Sequence, residues 1–244
     1  MKVKNIILGS LLAPMFLLAG GDIAPTEPVM EEVSVDTWNY SASLNMWGAG
    51  ITGQTSSNGE VDTSFKDILD NLKMTFMGTV GVKKEKWGIE ADFVYLNVGN
   101  YAEEHESIHT FGLKSWVITP IVTYQILDSE QWKLDILAGA RYLSMEPILN
   151  DVPTSGHVWD GIVGLKGSYD FNEQWFMPFQ FDIGSGDTDV TWQAFAGIGY
   201  KYENFDLIAG YRQLDWTFED GGKGGKVFND FTISGPIVMA KFNF

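Results

Sequence analysis

From Trp38 to Phe244 the sequence alternates apolar with polar or small residues at period two, in segments of about 10 to 16 residues. That period belongs to the β-strand, whose successive side chains point to opposite faces. Strands are expected at 38–51, 73–83, 86–97, 109–126, 131–145, 157–170, 174–184, 188–202, 204–217 and 230–244. The connections between them alternate in length. Tight turns fall near Lys83 to Lys86, Asp128 to Glu130, Phe171 to Glu173 and Glu203, and long polar stretches cover 52–72, 98–107, 146–156 and 218–229. The 184–188 connection is short for its side. An even count of antiparallel strands with short turns at one end and long loops at the other is the pattern of an up-and-down barrel, while alternation alone would also fit a soluble sandwich.

The residues on each face decide what surrounds such a barrel. In 86–97 one face reads Trp87, Ile89, Ala91, Phe93, Tyr95, and the other Gly88, Glu90, Asp92, Val94, Leu96. In 131–145 the faces are Trp132, Leu134, Ile136, Ala138, Ala140, Tyr142 against Lys133, Asp135, Leu137, Gly139, Arg141, Leu143; 157–170 divides in the same way. One face is apolar with aromatics at its ends; the other mixes charge, glycine and aliphatics. Trp87 to Tyr95, Trp116 to Tyr124 and Trp192 to Tyr200 are 8 residues apart, and Trp132 to Tyr142 and Trp159 to Tyr169 are 10. On strands tilted by about 40°, that spacing rises about 20 to 25 Å along the barrel axis, the height of a bilayer's apolar band. With Trp175 and Tyr211, these residues are expected to form aromatic girdles, their rings in lipid and their polar atoms toward water.

The last segment, PIVMAKFNF, places Val238, Ala240, Phe242 and Phe244 on one face and ends on an aromatic. In this the chain resembles Gram-negative outer-membrane β-barrel proteins, as a pattern over nearly the whole sequence; small OmpA-like barrels are nearest in size. The resemblance implies an all-β transmembrane antiparallel barrel of about ten strands, with 8 or 12 as the neighbouring even counts. It also implies outer-membrane lipid as the surroundings and a barrel-assembly machinery that reads Phe242 and Phe244. Both termini would then be periplasmic.

The N-terminus fits export. Lys2 and Lys4 precede an apolar run from Ile6 to Leu18 and the small residues Ala19, Gly20 and Gly21, the order of a signal peptide over 1–21. Residues 22–36, rich in Pro and acid, read as a flexible leader to a barrel over 37–244. No run is long and apolar enough for a membrane helix, and with no Cys there are no disulfides or thiolates. The net charge of −16, becoming −18 without Lys2 and Lys4, argues against nucleic acid as a partner.

The inward face collects Glu90, Asp92, Asp135, Asp160, Asp182 and Asp206 with Lys133, Arg141, Lys166, Lys201, Arg212 and Lys241. Six acids and six bases in a narrow lumen are expected to pair, because an unpartnered buried charge is strongly destabilising. Arg141 and Arg212 hold equivalent places in the similar stretches LDILAGARYLSM and FDLIAGYRQLDW. Gly139, Gly164, Gly197, Gly210 and Gly235 are expected to make room for the long side chains.

FKDILDNLK, 65–73, carries apolar residues at helical spacing and suggests a short helix over the barrel mouth. His105, His109 and His157, with the EEHE run at 103–106, lack any recognised metal or catalytic spacing, and GGKGGK at 221–226 lacks the helix a phosphate cradle needs. No cofactor and no enzymatic activity are expected. A barrel with a structural role or a largely plugged lumen is the leading expectation, followed by a small-solute channel, then a rim enzyme or surface adhesin.

Overall fold

The computed structural model describes residues 38–55, 60–102, 110–149, 152–153, 155–218 and 228–244. Thirteen strands and one helix follow in chain order: β1 (Asn39–Trp47), β2 (Gly50–Thr55), β3 (Glu60–Thr63), α1 (Phe65–Asp70), β4 (Leu72–Lys84), β5 (Trp87–Ala102), β6 (Thr110–Asp128), β7 (Trp132–Leu149), β8 (Val152–Pro153), β9 (Gly156–Asp170), β10 (Trp175–Gly186), β11 (Val190–Lys201), β12 (Asp206–Thr217) and β13 (Phe228–Asn243). Every pairing is antiparallel. The order β1-β4-β5-β6-β7-β9-β10-β11-β12-β13 returns on itself through β1–β13, from Ser41 opposite Asn243 to Trp47 opposite Ile237. Ten strands thus close a barrel, which leaves no free edge in the membrane band.

Three differences from the expected strands lie at the long-loop end. The expected strand 38–51 breaks at Gly48, where the backbones of β1 and β13 come so close that a Cβ on Gly235 would lie 2.3 Å from the Gly48 carbonyl oxygen. Beyond the break β2 continues along β13, and β3 folds back onto β2, so the loop expected over 52–72 holds a hairpin and α1. The helix ends at Asp70 instead of Lys73, because Leu72 already starts β4. β5 and β7 run on to Ala102 and Leu149, into stretches expected to be loop. A strand above the bilayer needs no apolar outer face, so hydropathy does not separate it from loop.

The inward glycines have a different role from the one expected. A Cβ on Gly139 would sit 2.2 Å from the Pro120 carbonyl oxygen, and one on Gly164 2.2 Å from that of Phe181. These positions admit the neighbouring strand's backbone, not the ends of Arg or Lys side chains.

On the outside, Leu44, Met46, Val80, Ile89, Val122, Ile136, Val163, Phe181, Ile198 and Val238 are exposed in a band around the barrel. An apolar surface that continuous does not persist in water but is at home in a bilayer. Aromatics bound the band as directly opposed cross-strand pairs. Trp87–Tyr124 (4.8 Å between ring centroids), Trp132–Tyr169 (4.8 Å) and Trp175–Tyr200 (5.0 Å) lie at the tight-turn end; Tyr95–Trp116 (4.5 Å) and Tyr142–Trp159 (4.8 Å) lie at the long-loop end. Trp192 and Tyr211 join none of these pairs: Trp192 stands between Ile183 and Asp215, and Tyr211 sits in mid-strand between Ala196 and Pro236. The closed barrel and this exterior are those of the outer-membrane β-barrel class.

Candidate functional site in the barrel lumen

The inward side chains form three storeys. The storey at the long-loop end is apolar. Trp47, Ile51, Val61, Val98, Leu113, Leu143, Met145, Val158, Leu214, Trp216, Phe231 and Ile233 are buried together, with Trp216, Phe231, Leu214 and Leu143 at 0% exposure. α1 closes this storey from above. Ser64 caps the helix by accepting from the Asp67 amide at 3.3 Å, and Ile68 points into the apolar cluster while Phe65 and Leu69 stay exposed.

Below it lies a transverse polar layer that links opposite walls. Arg141 on β7 crosses to β10 and β11: one terminal nitrogen pairs with Asp182 Oδ1 and the other donates to Thr191 Oγ1 at 2.9 Å. Arg141 and the Asp182 side chain are both 0% exposed. Gln180 and Gln193 donate to the second Asp182 oxygen at 2.9 and 3.2 Å. Gln193 Oε1 in turn accepts from Arg212 Nε and Nη2, at 3.1 and 2.7 Å. Arg212 on β12 then spans the lumen to β5, gripping Asp92 with two bonds of 2.6 and 3.3 Å, while its guanidinium lies 5.1 Å from the Trp47 ring centre. Thr79 donates to Asp92 Oδ1 at 3.0 Å, and Asn45 Nδ2 lies 3.5 Å from Thr79 Oγ1. A continuous chain of polar contacts thus joins β7, β10, β11, β12, β5, β4 and β1. A planar, forked guanidinium suits this bridging because it holds a carboxylate and a third group at once.

The storey at the tight-turn end carries most of the remaining charges, set among apolar residues such as Phe176 and Phe179, and is looser. Lys166 pairs with Glu90, Lys83 reaches Asp135 at 3.8 Å, and Lys133 and Lys201 share Asp170 at 3.9 and 2.9 Å. Asp206 accepts from Asn243 Nδ2 at 3.2 Å. Among the described residues Lys241 has no carboxylate within ion-pair distance. A cavity of about 340 Å³ occupies this storey and reaches up to Arg212 and Asp92.

Of the twelve charges expected in the lumen, six therefore pair with one another: Glu90 with Lys166, Asp92 with Arg212, and Arg141 with Asp182. Lys133, Asp135, Lys201 and Asp206 find partners outside that set, and Asp160 accepts from the Thr188 amide at 3.0 Å. Lys83, Asp170, Gln193 and Trp47 complete the arrangement and were not expected. Lys83 and Asp170 fall on the same alternate positions as the other inward charges and were legible from that register; Gln193 and Trp47 carry no charge to mark them. His157 is exposed, 6.4 Å from the Tyr142 ring; His105, His109, the EEHE run, GGKGGK and the 1–21 and 22–36 segments lie outside the described residues.

No protein-family model matches the chain, and no curated protein does. Among solved structures it is similar to Neisserial surface protein A, with 12% identity over 85% of this chain and 97% of that one and a TM-score of 0.40. The N-terminal β-barrel domain of OprF from Pseudomonas aeruginosa gives 10% identity, 84% and 97% coverage and 0.37. The translocator domain of the autotransporter NalP from Neisseria meningitidis gives 10%, 85% and 88%, and 0.41. The barrel assignment rests on the pairing register above, and likenesses this distant add nothing about activity.

Proposed function

We propose that this chain is an integral outer-membrane barrel with a structural role, closed to through-flow, its tight turns and both termini on the periplasmic side. One observation carries the reading: the Arg141–Asp182 and Arg212–Asp92 layer lies directly beneath an apolar storey whose Trp216 and Phe231 are fully buried. A hydrated ion would have to shed its water to cross the apolar storey, then separate charges that hold one another in a poorly solvated space. Outer-membrane lipid surrounds the barrel in this reading, and the assembly machinery engages β13 through Phe242 and Phe244. Reconstitution of the folded protein in planar bilayers tests it. Silence at physiological salt is the expected result, and discrete conductance steps would refute closure.

A second reading, a small-solute channel, draws on the cavity at the tight-turn end, which already covers part of the path. It requires the apolar storey to open. Conductance in wild-type protein favours this reading; conductance only after Trp216 and Phe231 are both changed to Ala favours the closed barrel.

A further inference from the structure

Closure accounts for the upper two storeys but gives the cavity no task. Its wall includes Asn45 and Thr119, 8% and 3% exposed, whose Oδ1 and Oγ1 have no hydrogen-bond partner among the described residues. Leaving such atoms unsatisfied costs roughly 1 to 3 kcal/mol each, so the cavity calls for an occupant that offers hydrogen bonds. Its charged lining is five Lys or Arg side chains against four carboxylates, in a chain whose net charge is −16. Four of those five cations already hold a carboxylate, Lys133 through Asp170 outside the lining; the fifth is Lys241, which stands opposite Asp206 in the β12–β13 register without forming an ion pair, so the lining as a whole carries one positive charge in excess. The cavity therefore combines one spare positive charge with unsatisfied polar atoms, and it is reached from the side where Lys83 and Lys133 are exposed.

We propose that this cavity binds a small hydroxylated monoanion, its carboxylate on the Lys241 ammonium and its hydroxyl groups on Asn45 Oδ1 and Thr119 Oγ1. A neutral polyol lacks the charge for Lys241, and chloride lacks donors for the wall. The anion enters from the tight-turn end, so the site works whether or not the apolar storey ever opens, and its test is independent of conductance.

The test is isothermal titration calorimetry of the full folded chain in zwitterionic detergent with sodium gluconate, against sodium chloride at equal ionic strength and sorbitol. Saturable heat with gluconate alone is expected. Lys241→Met should weaken binding about tenfold or more, the loss expected for a charge-assisted hydrogen bond. Lys114→Met removes the same charge from the exposed pair with Glu146 and should leave binding unchanged. Thr119→Val, which keeps every lumen charge, should weaken it as well and serves if Lys241→Met does not fold. No saturable gluconate heat, an equal response to sorbitol, or unchanged affinity in the folded variants would overturn the proposal and leave a cavity filled by water only.

Discussion

The two ends of the lumen solve one packing problem in opposite ways. At the long-loop end inward positions are filled with Leu, Val, Ile and Trp under a helical lid, with several side chains fully out of contact with solvent. At the tight-turn end the same wall sets Lys, Asp, Glu and Ser among apolar side chains such as Phe176, Phe179 and Ile208, around about 340 Å³ of open space. A ten-stranded barrel is slightly wider than side chains of an eight-stranded one fill, so surplus room has to go somewhere. Here it is gathered at one end. The guanidinium layer is the boundary, and the contrast predicts that substitutions become milder from the boundary toward the turns.

The largest effect is expected at the boundary. Arg141→Ala leaves Asp182 charged and without its ion partner where neither side chain meets solvent, and breaking a buried pair costs about 3 to 5 kcal/mol. Urea unfolding in lipid should report that loss, with partial recovery when Asp182→Ala is added. A loss under about 1 kcal/mol would mean that water reaches the layer and would erase the distinction between the two ends.

Next comes the apolar storey. Leu214→Ala removes a fully buried side chain and should cost roughly 2 to 4 kcal/mol through lost burial and the cavity left behind. A negligible change would show that the storey is loosely packed. At the turn end, Lys166→Met disrupts a pair whose members are 23% and 27% exposed, and the loss should not exceed about 1 kcal/mol. A penalty matching that of Arg141→Ala would make the turn end as closed as the boundary.

The smallest effect tests the turns. Glu85, with φ of 52°, takes the left-handed conformation in the two-residue turn between Lys84 and Trp87. Asn tolerates that conformation better, so Glu85→Asn should raise the unfolding midpoint by the equivalent of about 0.5 kcal/mol. A lower midpoint would point to a role for the Glu85 side chain.

Much of this contrast was legible in the sequence, though the expectation of a charge-filled lumen ran past it. Along β5 the inward residues read Glu90, Asp92, then Val94, Leu96, Val98; along β12, Asp206, Ile208, Gly210, Arg212, then Leu214, Trp216. Charge precedes aliphatics going from turn to loop in both strands. Taken as a set, the inward charges suggested pairing everywhere; taken in order, they separate the storeys. Partners were harder to foresee. Arg212 reaches Asp92, 120 positions away, because the barrel brings β12 and β5 to facing walls, and no local spacing encodes that distance. The girdles were legible because spacing along a strand follows membrane thickness; Tyr211, an aromatic in mid-strand, breaks that correspondence.

One pairing differs from the rest of the barrel in kind. The other junctions join successive barrel strands, whereas the β1–β13 seam, extended by β2 along β13, joins the two ends of the barrel: Ser41 lies opposite Asn243, and the Tyr40 and Phe244 backbones are bonded at 2.9 and 3.1 Å. Bringing together ends separated by about 200 residues carries a loop-closure entropy near 5 kcal/mol when the chain between them is flexible, and less once that chain is paired into hairpins. Substitutions that weaken the seam should slow refolding in proportion to their effect on stability while hardly changing the rate of unfolding, provided that closure is the transition state.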